Sequence, residues 1–317
     1  MNRPEIVILD AKPLINDGLT FEQMHPFGNL TVYDKTAENE IIERARDATI
    51  IITNKVRLNN WHFERLPHLR YIGETATGVD NIDVAAAKER GIVVTNVPDY
   101  STDSVAQHVM ALLLAYTNGV EVHAQSVARG EWQQHPYFAY WLKPVTELAG
   151  MTLGTLGYGK VAQRLAVMAQ AFGMRVIAHK PTPFEDKAVR WVNFETLLQQ
   201  SDVLSLHCPL TSNTRHVINR ETLFKMKAGS LLINTGRGGL IDEQALALAL
   251  KQNHLAAACL DVLTQEPPEA NNPLTALPNC LITPHIAWAS LAARKRLLNT
   301  VCENIIHFLN QKPVNVV

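Results

Sequence analysis

The sequence predicts an α/β protein in which doubly wound parallel sheets carry helices on both faces. Short apolar runs rich in β-branched residues alternate with longer amphipathic patterns along the whole chain. The runs are continuous rather than alternating, which is typical of strands buried on both faces of a parallel sheet. Glycines such as Gly91 and Gly173 end the amphipathic patterns, as expected at helix C-termini. Together these observations indicate the α/β class.

Two domains are expected, because 317 residues exceed the usual size of one. The long helical pattern over 291–309 can return the chain to the first domain, and the aromatic-rich stretch 131–150 is unlike a simple βα loop. We therefore predict one domain over 100–285, inserted into another made of 1–99 and 286–317. The predicted strands are residues 6–10, 49–53, 69–73, 92–95, 152–157, 175–179, 203–207, 230–234, 257–262 and 280–284.

The composition favours chemistry on small molecules. Lys plus Arg, at 29, nearly balances Asp plus Glu, at 30, and no block of like charge suggests a nucleic-acid or membrane surface. No stretch approaches the roughly 20 apolar residues of a membrane span, and the N-terminus does not resemble a signal peptide. The four cysteines, Cys208, Cys259, Cys280 and Cys302, show no CxxC spacing. We expect reduced cysteines, a cytoplasmic location and no metal site.

The motif GYGKVA follows one predicted strand and opens a helix. Gly157 permits a tight turn, Gly159 allows backbone to approach a pyrophosphate, and Ala162 takes the close-packing position. A tight βα turn without any ligand is the alternative interpretation. The strand before and the amphipathic helix after favour a Rossmann dinucleotide site. Lys180 stands where such sites usually carry a ribose-binding acid.

Three further residues follow predicted strands. Arg237, in NTGRGG, can bind a carboxylate in fork geometry and polarise a neighbouring carbonyl. His285, in TPHIAW, suits proton exchange near neutral pH, and a carboxylate such as Glu266, in LDVLTQEP, would orient its ring and favour its charged form. His207 also ends a strand, and periodicity alone does not choose between the two histidines.

These motifs, in this order and at these separations, resemble the D-2-hydroxyacid dehydrogenase family over essentially the whole chain. Within the family, ATGVDNID, TNVPDYSTDSVAQHVMALLL, ARGEW and YWLKPVTELAG are most similar to glycerate dehydrogenases, also called hydroxypyruvate reductases. The resemblance implies a Rossmann nucleotide domain inserted into a flavodoxin-like substrate domain. It also implies a homodimer interlocked through residues 118–150.

The resemblance also assigns roles to individual residues. It makes Arg237, Glu266 and His285 the catalytic set. Backbone N–H groups of a Gly-containing loop would hold the substrate carboxylate, and Trp288 would close the pocket, with Trp141 reaching the partner's site. The implied substrate contacts are Ala76, Thr77, Gly78, Arg237 and Trp288. The implied cofactor contacts are Thr77, Gly157, Gly159, Lys160, Val161, Lys180, Cys208, Thr235, Gly236 and Asp261, the last of them to the nicotinamide carboxamide.

We therefore expect reduction of a small 2-keto acid, hydroxypyruvate to D-glycerate, by NADP or NAD. Lys180 removes the repulsion of a 2′-phosphate, so NADPH is expected to serve at least as well as NADH. A broader glyoxylate or 2-keto acid reductase is the alternative enzyme. A dinucleotide-sensing corepressor is the alternative of another class, although a sensor has no need of an acid at His285.

Overall fold

The computed structural model describes residues 3–317, which divide into two compact units. The terminal unit comprises residues up to 101 together with 289–317, and the central unit comprises 102–288. The strands are β1 Glu5–Ile8, β2 Asn29–Val32, β3 Ile50–Thr53, β4 Tyr71–Glu74, β5 Val93–Thr95, β6 Thr152–Leu156, β7 Arg175–His179, β8 Arg190–Trp191, β9 Val203–Leu206, β10 Leu231–Asn234, β11 Ala257–Leu260 and β12 Cys280–Ile282. The α-helices are α1 Ile41–Ala45, α2 Asn60–Phe63, α3 Val84–Glu89, α4 Thr102–Asn118, α5 Val120–Ala128, α6 Lys160–Ala171, α7 Phe194–Gln200, α8 Arg220–Lys225, α9 Glu243–Lys251 and α10 Leu291–Leu309. Short 3-10 helices span Glu22–Phe27, Glu38–Glu40 and Gly238–Leu240.

The terminal unit is a five-stranded parallel sheet in the order β2-β1-β3-β4-β5. This is the flavodoxin-like order. Strands β3 and β4 are buried along their whole length, as their continuous apolar runs predict. Strand β2 was not predicted, because it is a largely exposed edge strand without an apolar run.

Helix α10 belongs to the terminal unit and packs on its sheet. The ring of Phe308 lies 4.6 Å from that of Tyr71 on β4. The buried Asn304 donates to the Asn96 carbonyl at 2.9 Å, and the backbone of Val317 donates to the Val94 carbonyl at 3.1 Å. The last residues of the chain are thus part of the fold of this unit.

The central unit is a seven-stranded parallel sheet in the order β12-β11-β10-β9-β6-β7-β8. Read from β8, this is the Rossmann order 3-2-1-4-5-6 extended by one strand. Two apolar cores cover its faces, one built on α4 and α6 and the other on α7 to α9. All strands run parallel, so their carboxyl ends lie along one edge. The predicted pair of α/β sheets is confirmed.

The boundaries between the two units lie slightly later in the chain than the sequence predicts. It falls after residues 101 and 288, two and three residues beyond the expected positions. Helix α4 begins only at Thr102, and the amide groups of Ile286 and Ala287 donate to Asp261 of the central unit. No helix within residues 3–317 is long and apolar enough to cross a membrane.

Candidate active site

Three of the predicted site residues follow three neighbouring strands of the central sheet. Arg237 comes three residues after β10, Asp261 directly after β11, and His285 three residues after β12. Since these strands are adjacent and parallel, the three residues lie at the same sheet edge. This is the edge at which open α/β sheets bind ligands.

His285 forms a close pair with Glu266. Its Nδ1 lies 2.5 Å from Oε2 of Glu266, and both side chains are about one-third exposed, at 27% and 34%. The other carboxylate oxygen of Glu266 accepts from the Leu263 amide at 3.0 Å, which fixes the carboxylate. A ring bound through Nδ1 presents Nε2 to a reactant, so this arrangement suits a proton donor or acceptor.

Asp261 holds the loop that carries His285. Oδ1 accepts from the Ile286 amide at 2.9 Å and from the Thr283 hydroxyl at 2.6 Å, and Oδ2 accepts from the Ala287 amide at 2.8 Å. The side chain of Asp261 is fully buried. Its carboxylate is thus engaged by this loop, and the contact to a nicotinamide carboxamide stays a prediction.

The Arg237 loop is fixed by a buried asparagine and by a close backbone contact. Asn234 donates through Nδ2 to the Arg237 carbonyl at 2.8 Å and accepts from the Gly236 amide at 3.0 Å. A Cβ on Gly238 would lie 1.9 Å from the carbonyl carbon of Leu263, so glycine is required there. The Arg237 loop therefore packs directly against the segment that leads to Glu266.

The GYGKVA turn has the features of a dinucleotide site. Gly157 has φ of +95°, and a Cβ there would lie 2.6 Å from the His207 backbone. A Cβ on Gly159 would meet nothing within 4 Å, and no side chain caps the N-terminus of α6 that begins at Lys160. Open space above uncapped helix amides suits a pyrophosphate.

Two other predicted cofactor contacts line the same sheet edge. Thr235 is buried, and within the described residues 3–317 its Oγ1 is one of five buried side-chain polar atoms without a hydrogen-bond partner. Burial raises the pKa of Cys208 to about 11, so this residue stays a neutral thiol. An unpartnered hydroxyl at this edge is consistent with a polar ligand that supplies the missing bond.

Lys180 follows β7, at the end where the ribose of a dinucleotide is expected. Its Nζ lies 5.2 Å from the centroid of the Phe184 ring, and that ring stacks on Tyr158 at 4.4 Å. The Tyr158 hydroxyl donates to Asp186 at 3.0 Å, which ties the following loop to the GYGKVA turn. The aromatic face thus holds the ammonium group beside the turn through a cation–π contact.

The two candidate histidines differ in their surroundings. Nε2 of His207 lies 2.9 Å from the Ser205 hydroxyl, and desolvation lowers the pKa of His207 to about 4. His207 is therefore neutral near pH 7, whereas His285 has a carboxylate partner. His285 as the proton donor stays a prediction, with which this difference is consistent.

In the terminal unit, the loop Ala76–Gly78 follows β4. The Thr77 hydroxyl donates to the Val97 carbonyl at 2.8 Å, and Asn96 donates to the Thr77 carbonyl at 2.7 Å. These bonds fix the loop that was predicted to hold a carboxylate. In the central unit, Trp288 is partly buried and Trp141 is 71% exposed.

The sequence did not reveal Asn234 or the loop contacts of Asp261. Asn234 is part of NTGRGG, so its position before the Arg237 turn was visible but its buried side-chain bonds were not. Within residues 3–317, no group of three or more His, Cys, Asp or Glu side chains could hold a metal ion.

Comparison with known proteins decides the family. The model for the NAD-binding domain of D-isomer specific 2-hydroxyacid dehydrogenases matches residues 110–287. The chain belongs to the D-2-hydroxyacid dehydrogenase family. The match spans the glycine turn, the Arg237 loop and the Glu266–His285 pair, so these three features lie in the part of the chain that matches the family.

Relatives that match this D-2-hydroxyacid dehydrogenase over nearly its whole length support the same family. It is 42% identical to a hydroxypyruvate reductase of Blautia hydrogenotrophica, with 99% of each chain covered. It is 40% identical to a glycerate dehydrogenase of Methylorubrum extorquens, covering 99% of this chain and 98% of the relative. The solved glyoxylate/hydroxypyruvate reductase of Sinorhizobium meliloti, in complex with NADP and malonate, superposes with a TM-score of 0.87 at 28% identity, covering 100% of this chain and 97% of that one.

Proposed function

We propose that the chain is an NAD(P)-dependent oxidoreductase that reduces hydroxypyruvate to D-glycerate, with glyoxylate as a second substrate. The observation that carries this proposal is the 2.5 Å contact between His285 and Glu266 at the sheet edge where Arg237 lies. Relatives named hydroxypyruvate reductase and glycerate dehydrogenase support the choice of substrate.

Three side chains of the central unit have separate roles in the reaction. Arg237 binds the substrate carboxylate with its planar guanidinium and polarises the adjacent carbonyl. His285 donates a proton from Nε2 to the carbonyl oxygen as the alcohol forms. Glu266 accepts from Nδ1 of His285, which orients the ring and stabilises its protonated form. A bound nicotinamide cofactor supplies the hydride.

The central unit would bind this cofactor. Gly157, Gly159, Lys160 and Val161 would hold the pyrophosphate at the N-terminus of α6, where helix amides favour an anion. Further along the sheet edge, contacts are assigned to Cys208, Thr235, Gly236 and Asp261. In the terminal unit, Ala76, Thr77 and Gly78 would bind the substrate carboxylate through backbone N–H groups. Thr77 is also assigned to the cofactor, and Trp288 to the substrate.

The cofactor would be NADPH at least as readily as NADH. Lys180 replaces the usual ribose-binding acid, and its contact with the Phe184 ring keeps the ammonium group beside the glycine turn. A lysine offers a point charge rather than the bidentate fork of an arginine, so only moderate discrimination is expected. The relative solved with NADP supports this choice.

The assembly would be a homodimer formed through residues 118–150. The exposed apolar side chains of this segment include Tyr137, Phe138 and Trp141, which are 72%, 91% and 71% exposed in the single chain. Apolar surface of this kind is typical of a subunit interface.

All four cysteines are free, which supports a reducing compartment such as the cytoplasm.

Steady-state turnover tests the proposal. Hydroxypyruvate, glyoxylate and pyruvate are each assayed with NADH and NADPH, and the highest kcat/KM is expected with hydroxypyruvate. A higher kcat/KM with glyoxylate or pyruvate would favour the broader 2-keto acid reductase. Tight cofactor binding without turnover on any of the three would indicate a dinucleotide sensor instead.

A further inference from the structure

Two side chains on one face of α4 contact the loop that carries His285. Ser104 and His108 are four residues apart, so they project from the same side of the helix. The Ser104 hydroxyl donates to the Ala287 carbonyl at 2.7 Å. Nε2 of His108 lies 3.0 Å from Oγ1 of Thr283 and 3.4 Å from Oδ1 of Asp261. The helix thus meets this loop both before and after His285.

The hydrogen bonds form a directed chain from α4 to Asp261. Burial alone would raise the pKa of Asp261, but hydrogen bonds from His108, Thr283, Ala287 and Ile286 outweigh it and lower the pKa. An ionised carboxylate only accepts, so the Thr283 hydroxyl donates to Asp261 at 2.6 Å. The oxygen of that hydroxyl is then left to accept from Nε2–H of His108.

The loop held in this way has an unfavourable backbone conformation. His285 has φ of +55°, in the left-handed region that residues with a Cβ avoid. Such a conformation persists only where the surrounding contacts over-determine it. Here Asp261 accepts from the Ile286 and Ala287 amides through its carboxylate and from the His285 amide, at 2.9 Å, through its carbonyl.

We propose that His108 and Ser104 are positioning residues, which hold the 283–287 loop in the conformation that aims the His285 ring at Glu266. His108 acts through Thr283 and Asp261, and Ser104 acts directly on the Ala287 carbonyl. The catalytic consequence rests on the proposed function, because it requires His285 to be the proton donor. The effect on the loop itself does not.

His108→Leu and His108→Gln test the role of the hydrogen bond. The amide nitrogen of glutamine can replace the Nε2–H donor, and leucine cannot. Hydrogen exchange measured by mass spectrometry should show faster exchange of the Ile286 and Ala287 amides in the leucine variant and near wild-type exchange in the glutamine variant. Gln107→Leu, on the exposed side of α4, is the matched control and should change nothing.

Activity supplies the second measurement. A donor that is misplaced by a fraction of an ångström loses rate steeply, so kcat for hydroxypyruvate should fall roughly 10- to 100-fold in His108→Leu. The KM for NADPH should change less than kcat, because the glycine turn and Lys180 are not altered and only the cofactor contact assigned to Asp261 can be disturbed. His108→Gln should recover most of kcat. Thr283→Val, which removes only the intervening hydroxyl, should reproduce the leucine result. This variant also serves if His108→Leu does not fold.

Unchanged exchange at residues 286–287 in both His108→Leu and Thr283→Val would overturn the proposal. An equal loss in His108→Leu and His108→Gln would also overturn it, because ring packing rather than the hydrogen bond would then be responsible. A wild-type chain without reductase activity would refute the proposed function alone, and the exchange data would still decide the positioning role.

Discussion

Replacing Glu74 with glutamine should remove a strong pH dependence from the stability of the terminal unit. Glu74 ends β4 and is fully buried, and its Oε2 accepts from Asn81 at 3.0 Å. In the part of the chain that the structure describes, Oε1 of Glu74 is buried without a hydrogen-bond partner. Burial raises the pKa of Glu74 from 4.5 to about 9, so the folded protein holds this carboxyl neutral at pH 7.

The sign and size of the effect follow from proton linkage. Between pH 5 and pH 8 the unfolded chain has lost this proton and the folded chain keeps it, so stability falls as pH rises. One pH unit is worth about 1.4 kcal/mol, so the loss over this window is about 4 kcal/mol. Glutamine cannot ionise, and its side-chain oxygen can still accept from Asn81. The variant therefore gains about 4 kcal/mol relative to the wild type between pH 5 and pH 8.

Urea unfolding followed by circular dichroism at pH 5, 6, 7 and 8 measures this difference, with a separate transition fitted for each unit. Only the change in the difference with pH matters, so a constant offset from the substitution does not affect the result. Glu89→Gln, at an exposed position on α3, is the matched control and should give a flat difference. A change below about 1 kcal/mol for Glu74→Gln would show that the folded carboxyl ionises near its ordinary pKa.

The remaining predictions concern the reaction. His285→Ala should lower kcat roughly 100-fold or more with cofactor affinity little changed, whereas His207→Gln should keep most of the rate. Steady-state assays measure both variants, and the reverse result would exchange the roles of the two histidines. Glu266→Gln should move the pH optimum of reduction to lower pH, because a carboxylate beside an imidazole favours its charged form. An unchanged pH profile of kcat/KM would remove that role. Lys180→Asp should weaken NADPH binding by ~1 to 3 kcal/mol and leave NADH binding little changed, as measured by fluorescence titration. If the ratio of the two affinities is the same as in the wild type, Lys180 does not determine the preference between NADPH and NADH.

Much of the fold could be predicted because buried parallel strands leave continuous apolar runs. Strand β2 and the two-residue β8 leave no such run, since both are short and partly exposed. The apolar pattern on either side of Gly119, where φ is +57°, gives no sign of the division into α4 and α5. Side-chain periodicity reports burial, and it is insensitive to one left-handed residue.

Only those parts of the candidate site that belong to recognisable sequence motifs could be predicted. The glycine turn, Arg237, Glu266 and His285 each follow a strand, so sheet topology alone brings them to one edge. The contact of His108 with Thr283 joins residues 175 positions apart, and nothing in the local sequence of either residue indicates it. Contacts of this kind depend on how α4 packs on the sheet, which requires the structure.

The contribution of α10 to the terminal unit has a consequence for synthesis of the protein. Domains generally fold as units while the chain emerges, in order from the N-terminus. Residues 102–288 emerge as a complete unit, whereas the sheet of the terminal unit waits for Phe308 and Asn304 to cover Tyr71 and bond Asn96. When residues up to 288 have emerged from the ribosome and α10 has not, the central unit is therefore complete and the N-terminal sheet is not. In a growing chain, the first strands to be made are among the last to be stabilised.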